Sequence, residues 1–261
     1  MKIRRIHLLV AVLSLVVCAI PFRAQLRTAA SVVMSRLRVK KTVADRLAEF
    51  EAVVRNRLAT RFQEIKVEYP PARMILAGLK HEKRLEVWVA GRESNFRLLK
   101  TYPILGTSGT IGPKLTEGDG QVPEGFYKIE SLNPNSAFHV ALRVNYPNQF
   151  DRDKGKLDGR SRLGSDIMIH GNTCSVGCLA MGDEAAEELF ALAADTGIEN
   201  IRVILSPVDF RQRELPRKMP PVPKWTSELY ADLRRELNNL ASTNALPAQG
   251  VQRSDGKSNR W

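Results

Sequence analysis

The sequence predicts a mostly β domain with short helices, preceded by an amphipathic helix and followed by a helical extension. Three observations predict it. From Met74 onward, apolar residues fall into short runs: "MILAGL", "RLEVWVA", "FRLLKTYPIL", "FYKIESL", "FHVALRV", "DIMIH" and "IRVIL". These runs are rich in β-branched, leucine and aromatic residues, and Gly, Pro, Asn or charged turns separate most of them, as strands require. Upstream, Val43, Leu47, Phe50, Val54, Leu58, Phe62 and Ile65 recur at steps of three and four. That spacing makes one stripe of a helix over residues 42–65, with Thr42 placed to cap it. Downstream, one helix interrupts the strands, and a second is expected near residues 227–240.

In chain order, Lys2, Arg4 and Arg5 precede an apolar run from Ile6 to about Ile20. This is the layout of a secretory signal, with Val17-Cys18-Ala19 as a small-residue cleavage site. An uncleaved anchor is the alternative, although the run falls short of the ~20 residues that span a bilayer. Residues 1–20 therefore read as a signal peptide or anchor, 31–69 as a helical segment and 70–208 as the β domain. Residues 209–261 read as a basic extension with a polar, disordered end. The interrupting helix begins near Asp183, a potential cap; Glu184, Glu187 and Glu188 favour its start, and Leu189, Leu192 and Ala193 face inward.

The formal charge of +12 is unevenly placed. Residues 1–70 carry 14 Lys/Arg against 5 Asp/Glu, residues 71–210 carry 16 against 18, and residues 211–261 carry 10 against 5. Basic flanks around a slightly acidic middle suit attraction to anionic lipid or polymer surfaces, with membrane proximity through the N-terminus. No zinc-finger spacing or RNP-like motif accompanies the charge, so no nucleic-acid partner is expected.

The chemistry concentrates in "IMIHGNTCSVGCLAMGDEAAEELF", residues 167–190. His170 ends a buried strand, Gly171 breaks it, and the loop delivers Cys178 close to the start of the next helix. A zinc site from His170, Cys174 and Cys178 lacks a fourth ligand and a common spacing; no metal or cofactor is expected. A Cys174–Cys178 disulfide would close a very small ring under strict Cα geometry. A nucleophile explains more residues. A free thiol ionises near pH ~8.5, and an adjacent imidazole with unpaired backbone N–H groups lowers that. Gly177 lets the chain turn tightly beside the sulfur, and the N–H groups of Gly177 and Cys178 would face a developing oxyanion.

The segment "HGNTCSVGCLAM" resembles the active-site signature of the L,D-transpeptidase (YkuD-type) catalytic domain, in the branch reading His-Gly, a short loop, then Ser-x-Gly-Cys-x-Ala-Met. Two further blocks, "GPKLTEGDGQVPEGFYKI" and "LNPNSAFHVALRVNYPNQFDR", resemble the YafK-type branch. The resemblance covers residues 76–206. It implies the family's β-sandwich, with Cys178 as nucleophile, His170 as base and the Gly171 carbonyl orienting the imidazole; Ser175 and Gly177 shape the nucleophile loop. The commoner family pattern has a longer His-to-Cys spacing, a second histidine two residues before the cysteine and an arginine two residues after it. Here those positions are Val176 and Ala180, so those roles do not transfer. His139 either approaches the site instead or is a hydrogen-bonded core histidine.

The resemblance also implies a periplasmic, cell-envelope enzyme acting on peptidoglycan stem peptides. Cys178 would attack the L-centre carbonyl of meso-diaminopimelate to give a thioester. Water as acceptor gives hydrolysis, including detachment of a wall-linked outer-membrane lipoprotein; an amine gives transpeptidation. Lys114 and Arg143 are candidates for substrate carboxylates, with Tyr146 and Asn148 as polar partners; each is otherwise a solvated or turn-forming residue. Residues 106–120 read as a lid or as an ordinary long hairpin loop. The non-enzymatic alternative is a wall-binding module.

Overall fold

The computed structural model describes residues 40–245. The signal or anchor expected in residues 1–20 and the polar end beyond residue 245 lie outside the described residues. Thr42 caps the first helix, α1 (Val43–Ile65): its Oγ1 accepts from the Asp45 N–H at 3.1 Å, and the Asp45 carboxylate accepts from the Thr42 N–H at 2.7 Å. This reciprocal capping box satisfies two of the donors that a helix start leaves unpaired.

Eight strands follow: β1 (Arg73–Leu79), β2 (Arg84–Ala90), β3 (Arg97–Pro103), β4 (Gly125–Ser136), β5 (His139–Val144), β6 (Met168–His170), β7 (Leu179–Ala180) and β8 (Ile201–Ser206). Between Arg73 and Ser206 the chain is mostly β, as the short apolar runs predict. The strands form one mixed sheet in the order β3-β2-β1-β8-β4-β5-β6-β7. The β1/β8 and β6/β7 pairs are parallel and the others antiparallel.

Strand β1 is apolar at consecutive positions because both of its faces are covered. Met74 and Leu76 join a core with Phe50, Val54, Leu58 and Phe62 of α1. Leu189, Phe190 and Leu192 of α3 (Asp183–Thr196) complete that layer. On the opposite face, Ile75, Ala77, Leu79 and Trp88 pack with Leu229, Tyr230, Leu233 and Leu237 of α4 (Thr226–Ala245). The carboxy-terminal helix thus covers the second face of the sheet.

Three details differ from the sequence reading. The cap of α3 is Gly182, without a side-chain bond; the Asp183 carboxylate instead accepts the Asn172 N–H at 2.7 Å. Glu188, expected to favour the start of the helix, is fully buried, accepting from Tyr102 Oη and Lys100 Nζ, both at 2.6 Å. Helix α2 (Gln149–Leu157) has no counterpart in the reading, because Gly155 is its one buried residue and it carries no apolar stripe.

Candidate active site

The site lies at the β5-β6-β7 end of the sheet, where alternation sorts the residues into two sets. Leu142, Ile169 and Leu179 are register partners and enter the core. Ala141, His170 and Ala180 form the next row, on the opposite face. Arg143 pairs with Met168 two steps from the His170 row, and the Met168 N–H donates to Cys178 Sγ at 3.3 Å. Cys178 therefore immediately precedes β7, two positions before Ala180, the register partner of His170, and continued period-two alternation would turn it towards the same face.

The His170 ring is buried and tightly defined. Its Nδ1 lies 2.6 Å from the Gly171 carbonyl oxygen. A carbonyl only accepts, so Nδ1 carries the hydrogen and Nε2 keeps the basic lone pair. Phe138 stacks on the ring at 4.7 Å between centroids. Small neighbours Ala141 and Ala180 flank it in the sheet. Burial lowers the imidazole pKa from its ordinary value, with the Gly171 bond opposing more weakly, so the ring is neutral at neutral pH. Gly171 has no room for a side chain: a Cβ there would lie 2.6 Å from Asp183 Oδ1 and 2.7 Å from the Phe138 carbonyl oxygen.

Cys174 and Cys178 are both free thiols, the former exposed and the latter half-buried. The Cys178 thiol donates to the Asp166 carbonyl at 3.4 Å. Burial pushes its pKa up and Asp166 adds to that, while the Met168 N–H and the more distant Lys114 ammonium pull it down. The net shift is upward, opposite to the sequence expectation, because desolvation of the thiolate outweighs the donors around it. At rest the site thus holds an un-ionised thiol and a neutral imidazole.

The expected oxyanion donors are also already bonded. The Gly177 N–H donates to Ser108 Oγ at 2.7 Å and the Cys178 N–H to Ser175 Oγ at 3.2 Å. Gly177 has φ +77°, a conformation that favours glycine. Ser108 belongs to the segment 106–120, a loop pinned to the body of the domain. Gly106 exchanges backbone bonds with Ala180, and Lys80 Nζ donates to the Gly112 carbonyl.

The remaining sequence candidates are committed to other partners. Lys114 Nζ binds the Thr116 carbonyl and Asp119. Arg143 bridges Glu130 and Asp166, which ties it to the neighbourhood of the sulfur. Tyr146 points inward, its Oη donating to the Leu163 carbonyl at 3.0 Å. Asn148 caps α2 through its bond from the Asp151 N–H and donates to the Phe126 carbonyl. The His139 imidazole turns to Glu187 at 2.9 Å and sits beside Phe50, rather than approaching the sulfur. The sequence reading missed Phe138, Asp166 and Ser108 as site residues. Of these, Ser108 had a signal, the glycine-rich run "GTSGTIG" in which it sits.

The model of the L,D-transpeptidase catalytic domain, YkuD, matches residues 73–205, about half of the chain. The chain belongs to the YkuD family. YafK of Escherichia coli K12, provisionally named an L,D-transpeptidase, is 37% identical over 113 residues, which are 42% of this chain and 43% of YafK. The match thus spans under half the length of that relative. Among solved structures, the helical cell shape determining protein Pgp2 of Campylobacter jejuni is similar at TM-score 0.44 and 21% identity, covering 61% of this chain and 57% of Pgp2. L,D-transpeptidase 1 of Mycobacterium tuberculosis aligns at TM-score 0.30 and 16% identity, over 51% of this chain and 62% of the other.

Proposed function

We propose that this YkuD-family chain is an exported, cell-envelope cysteine enzyme that hydrolyses an amide at the L-centre of meso-diaminopimelate in peptidoglycan. The observation that carries the reading is the Nδ1–Gly171 bond of His170. It fixes the tautomer and leaves a neutral, basic Nε2 on the face of the sheet towards which Cys178 is placed.

Nε2 takes the Cys178 thiol proton as the sulfur attacks the L-centre carbonyl. The tetrahedral oxyanion takes over the Gly177 and Cys178 N–H groups from Ser108 and Ser175. His170 then gives its proton to the leaving amine, the C–N bond breaks, and a thioester remains. Water, deprotonated by the same Nε2, attacks the thioester, and the thiol and a free carboxylate are regenerated. Because the thiol is not ionised at rest, nucleophile formation depends on the imidazole at the moment of attack.

The short loop between His170 and Cys178, with Val176 and Ala180 where the commoner pattern has a histidine and an arginine, favours water over a bound amine as acceptor. Detachment of a wall-linked outer-membrane lipoprotein is one reaction of this type. The second reading, transpeptidation to 3–3 cross-links, uses the same thioester with an amine acceptor. A wall-binding module without turnover would need neither the fixed tautomer nor the placed thiol. Pure enzyme incubated with muropeptide-linked lysine peptides and with tetrapeptide muropeptides tests the order. Release of the lysine peptide is expected; abundant new 3–3 dimers without that release would make transpeptidation the activity. Export is tested by a carboxy-terminal reporter, and activity of the fusion in the cytoplasm alone would overturn it.

A further inference from the structure

A cavity of about 440 Å³ is lined in part by Ser108, whose hydroxyl contacts the nucleophile loop. The 80–83 turn between β1 and β2, the segment 107–111 and residues 218–220 of the carboxy-terminal extension line it. Its volume falls in the range of small-ligand sites, roughly 300–1,000 Å³.

The charges around it do not cancel. Lys80 Nζ is consumed by Glu124 and by the Gly112 and Val122 carbonyls, each at 2.8 Å. The nearby acids are consumed as well: Glu82 pairs with Arg213, and Asp209 with Arg84 and Arg211. Lys83 and Lys218 also line the cavity, both are exposed, and neither has an acidic partner among the described residues. Thr107 and Thr110 with their hydroxyls, and the apolar Ile111, Met219 and Pro220, line the same cavity. Two unneutralised ammonium groups, hydroxyl donors and an apolar lining suit a carboxylate attached to a small aliphatic group, the chemistry of a peptide terminus.

The cavity is coupled to the candidate reaction centre by one side chain. Ser108 lines it, while its Oγ accepts from the Gly177 N–H at 2.7 Å and donates to the Gly120 carbonyl at 2.6 Å. A ligand seated here is one residue's width from the proposed oxyanion position.

We propose that this cavity is a carboxylate subsite, in which Lys83 and Lys218 hold a free carboxyl group of the peptide whose amide is presented to Cys178. This inference rests on the hydrolase reading for the identity of the peptide. The carboxylate has two sources, the D-alanine terminus of a tetrapeptide stem or the terminus of an amine-linked peptide.

The test is calorimetric, on the full chain carrying Cys178→Ala, so that binding is read without turnover. The ligands are tetrapeptide stem muropeptide and lysine-peptide muropeptide, each with a free or an amidated terminal carboxyl, at low salt to limit screening. One free-acid ligand should lose about tenfold in affinity when Lys83→Ala and Lys218→Ala are combined, within reach of a charge-assisted hydrogen bond. Amidation of that ligand should cost the same in the parent and nothing further in the double variant. The ligand that shows this coupling names the source. Equal binding of the free acid by parent and double variant, additive losses, or no binding of either ligand to the parent would each overturn the subsite. Both lysines are exposed, and unchanged melting curves verify the fold. Turnover with intact Cys178 is measured separately. If coupling persists without turnover, the hydrolase reading fails and the subsite stands; turnover with a KM indifferent to both lysines sinks the subsite alone.

Discussion

His170 Nδ1 and the carbonyl oxygen of Gly171 are 2.6 Å apart, a bond between neighbours in the chain that sets which ring nitrogen is basic. Because burial lowers the His170 pKa, the base stays neutral below the usual histidine value of 6.5. The acid limb of kcat/KM is therefore expected below pH 6.5, with loss on going more acidic as Nε2 becomes protonated. The Cys178 thiol is shifted the other way, above 9.0, so its labelling by iodoacetamide should still be rising at pH 9. His170→Ala should lower turnover by roughly 10²–10⁴, the range of general acid–base catalysis, while His139→Ala, which removes the contacts with Glu187 and Phe50, should leave most of it. The reverse ranking would mean the base has been misassigned.

The two cysteines should separate cleanly. Cys178→Ala is expected to abolish turnover, because its sulfur receives the N–H of Met168, on the strand that ends at His170. Cys174 is exposed, and Cys174→Val should retain most activity. Equal losses in both variants would argue for joint chemistry of the two sulfurs and against a single nucleophile.

The stripe of α1 makes a stability prediction. Leu58 is 1% exposed in the core beneath the sheet, and Leu58→Ala should cost about 2–5 kcal/mol by urea unfolding. Val53 is on the same helix but 50% exposed. Val53→Ala should stay within roughly 0.5 kcal/mol. Similar costs at both positions would mean that α1 does not pack as described.

These helix and strand positions were readable because burial imposes a period. The steps of three and four from Val43 to Ile65 and the runs of β1, β2 and β8 leave that imprint directly. The signature around His170 and Cys178 was readable as local spacing. What could not be read depends on long-range contacts that leave no period. Phe138 stacks on His170 from the turn between β4 and β5, 32 residues earlier in number, and Ser108 reaches Gly177 across 69 positions. The upward shift of the thiol was missed for a related reason: desolvation depends on everything packed around Cys178, whereas neighbouring donors can be listed from the motif.

Asp151 gives a pH-dependent stability. It accepts from the Asn148 N–H and from Tyr127 Oη, yet burial dominates and pushes its pKa from 3.8 to about 6. The folded state then binds the proton more tightly than the unfolded state. The favourable contribution is complete below pH 3.8 and is lost as pH rises through about 6. The amount is on the order of 1–3 kcal/mol. Asp151→Asn keeps an acceptor for the cap and cannot ionise, so its unfolding free energy relative to the parent should improve between pH 4 and pH 6.5. A constant difference across that interval would show that Asp151 does not titrate there.

Ser108 offers the sharpest test of the oxyanion assignment. Its hydroxyl occupies the Gly177 N–H in the resting site, so a developing oxyanion must displace it. Only interactions stronger in the transition state than at rest accelerate the reaction; a donor already satisfied contributes the difference between its two partners. Ser108→Ala removes the competitor and leaves the N–H without its hydroxyl partner, which raises the resting state relative to the transition state. The acylation rate, measured as the pre-steady-state burst of released amine, should therefore rise by a few-fold up to about tenfold, bounded by the ~1–1.5 kcal/mol of an ordinary hydrogen bond. Ser108→Thr keeps the hydroxyl and should remain near the parent. A tenfold fall in Ser108→Ala with an unchanged melting curve would mean that the hydroxyl stays in the site and positions the loop, and that Gly177 does not receive the oxyanion.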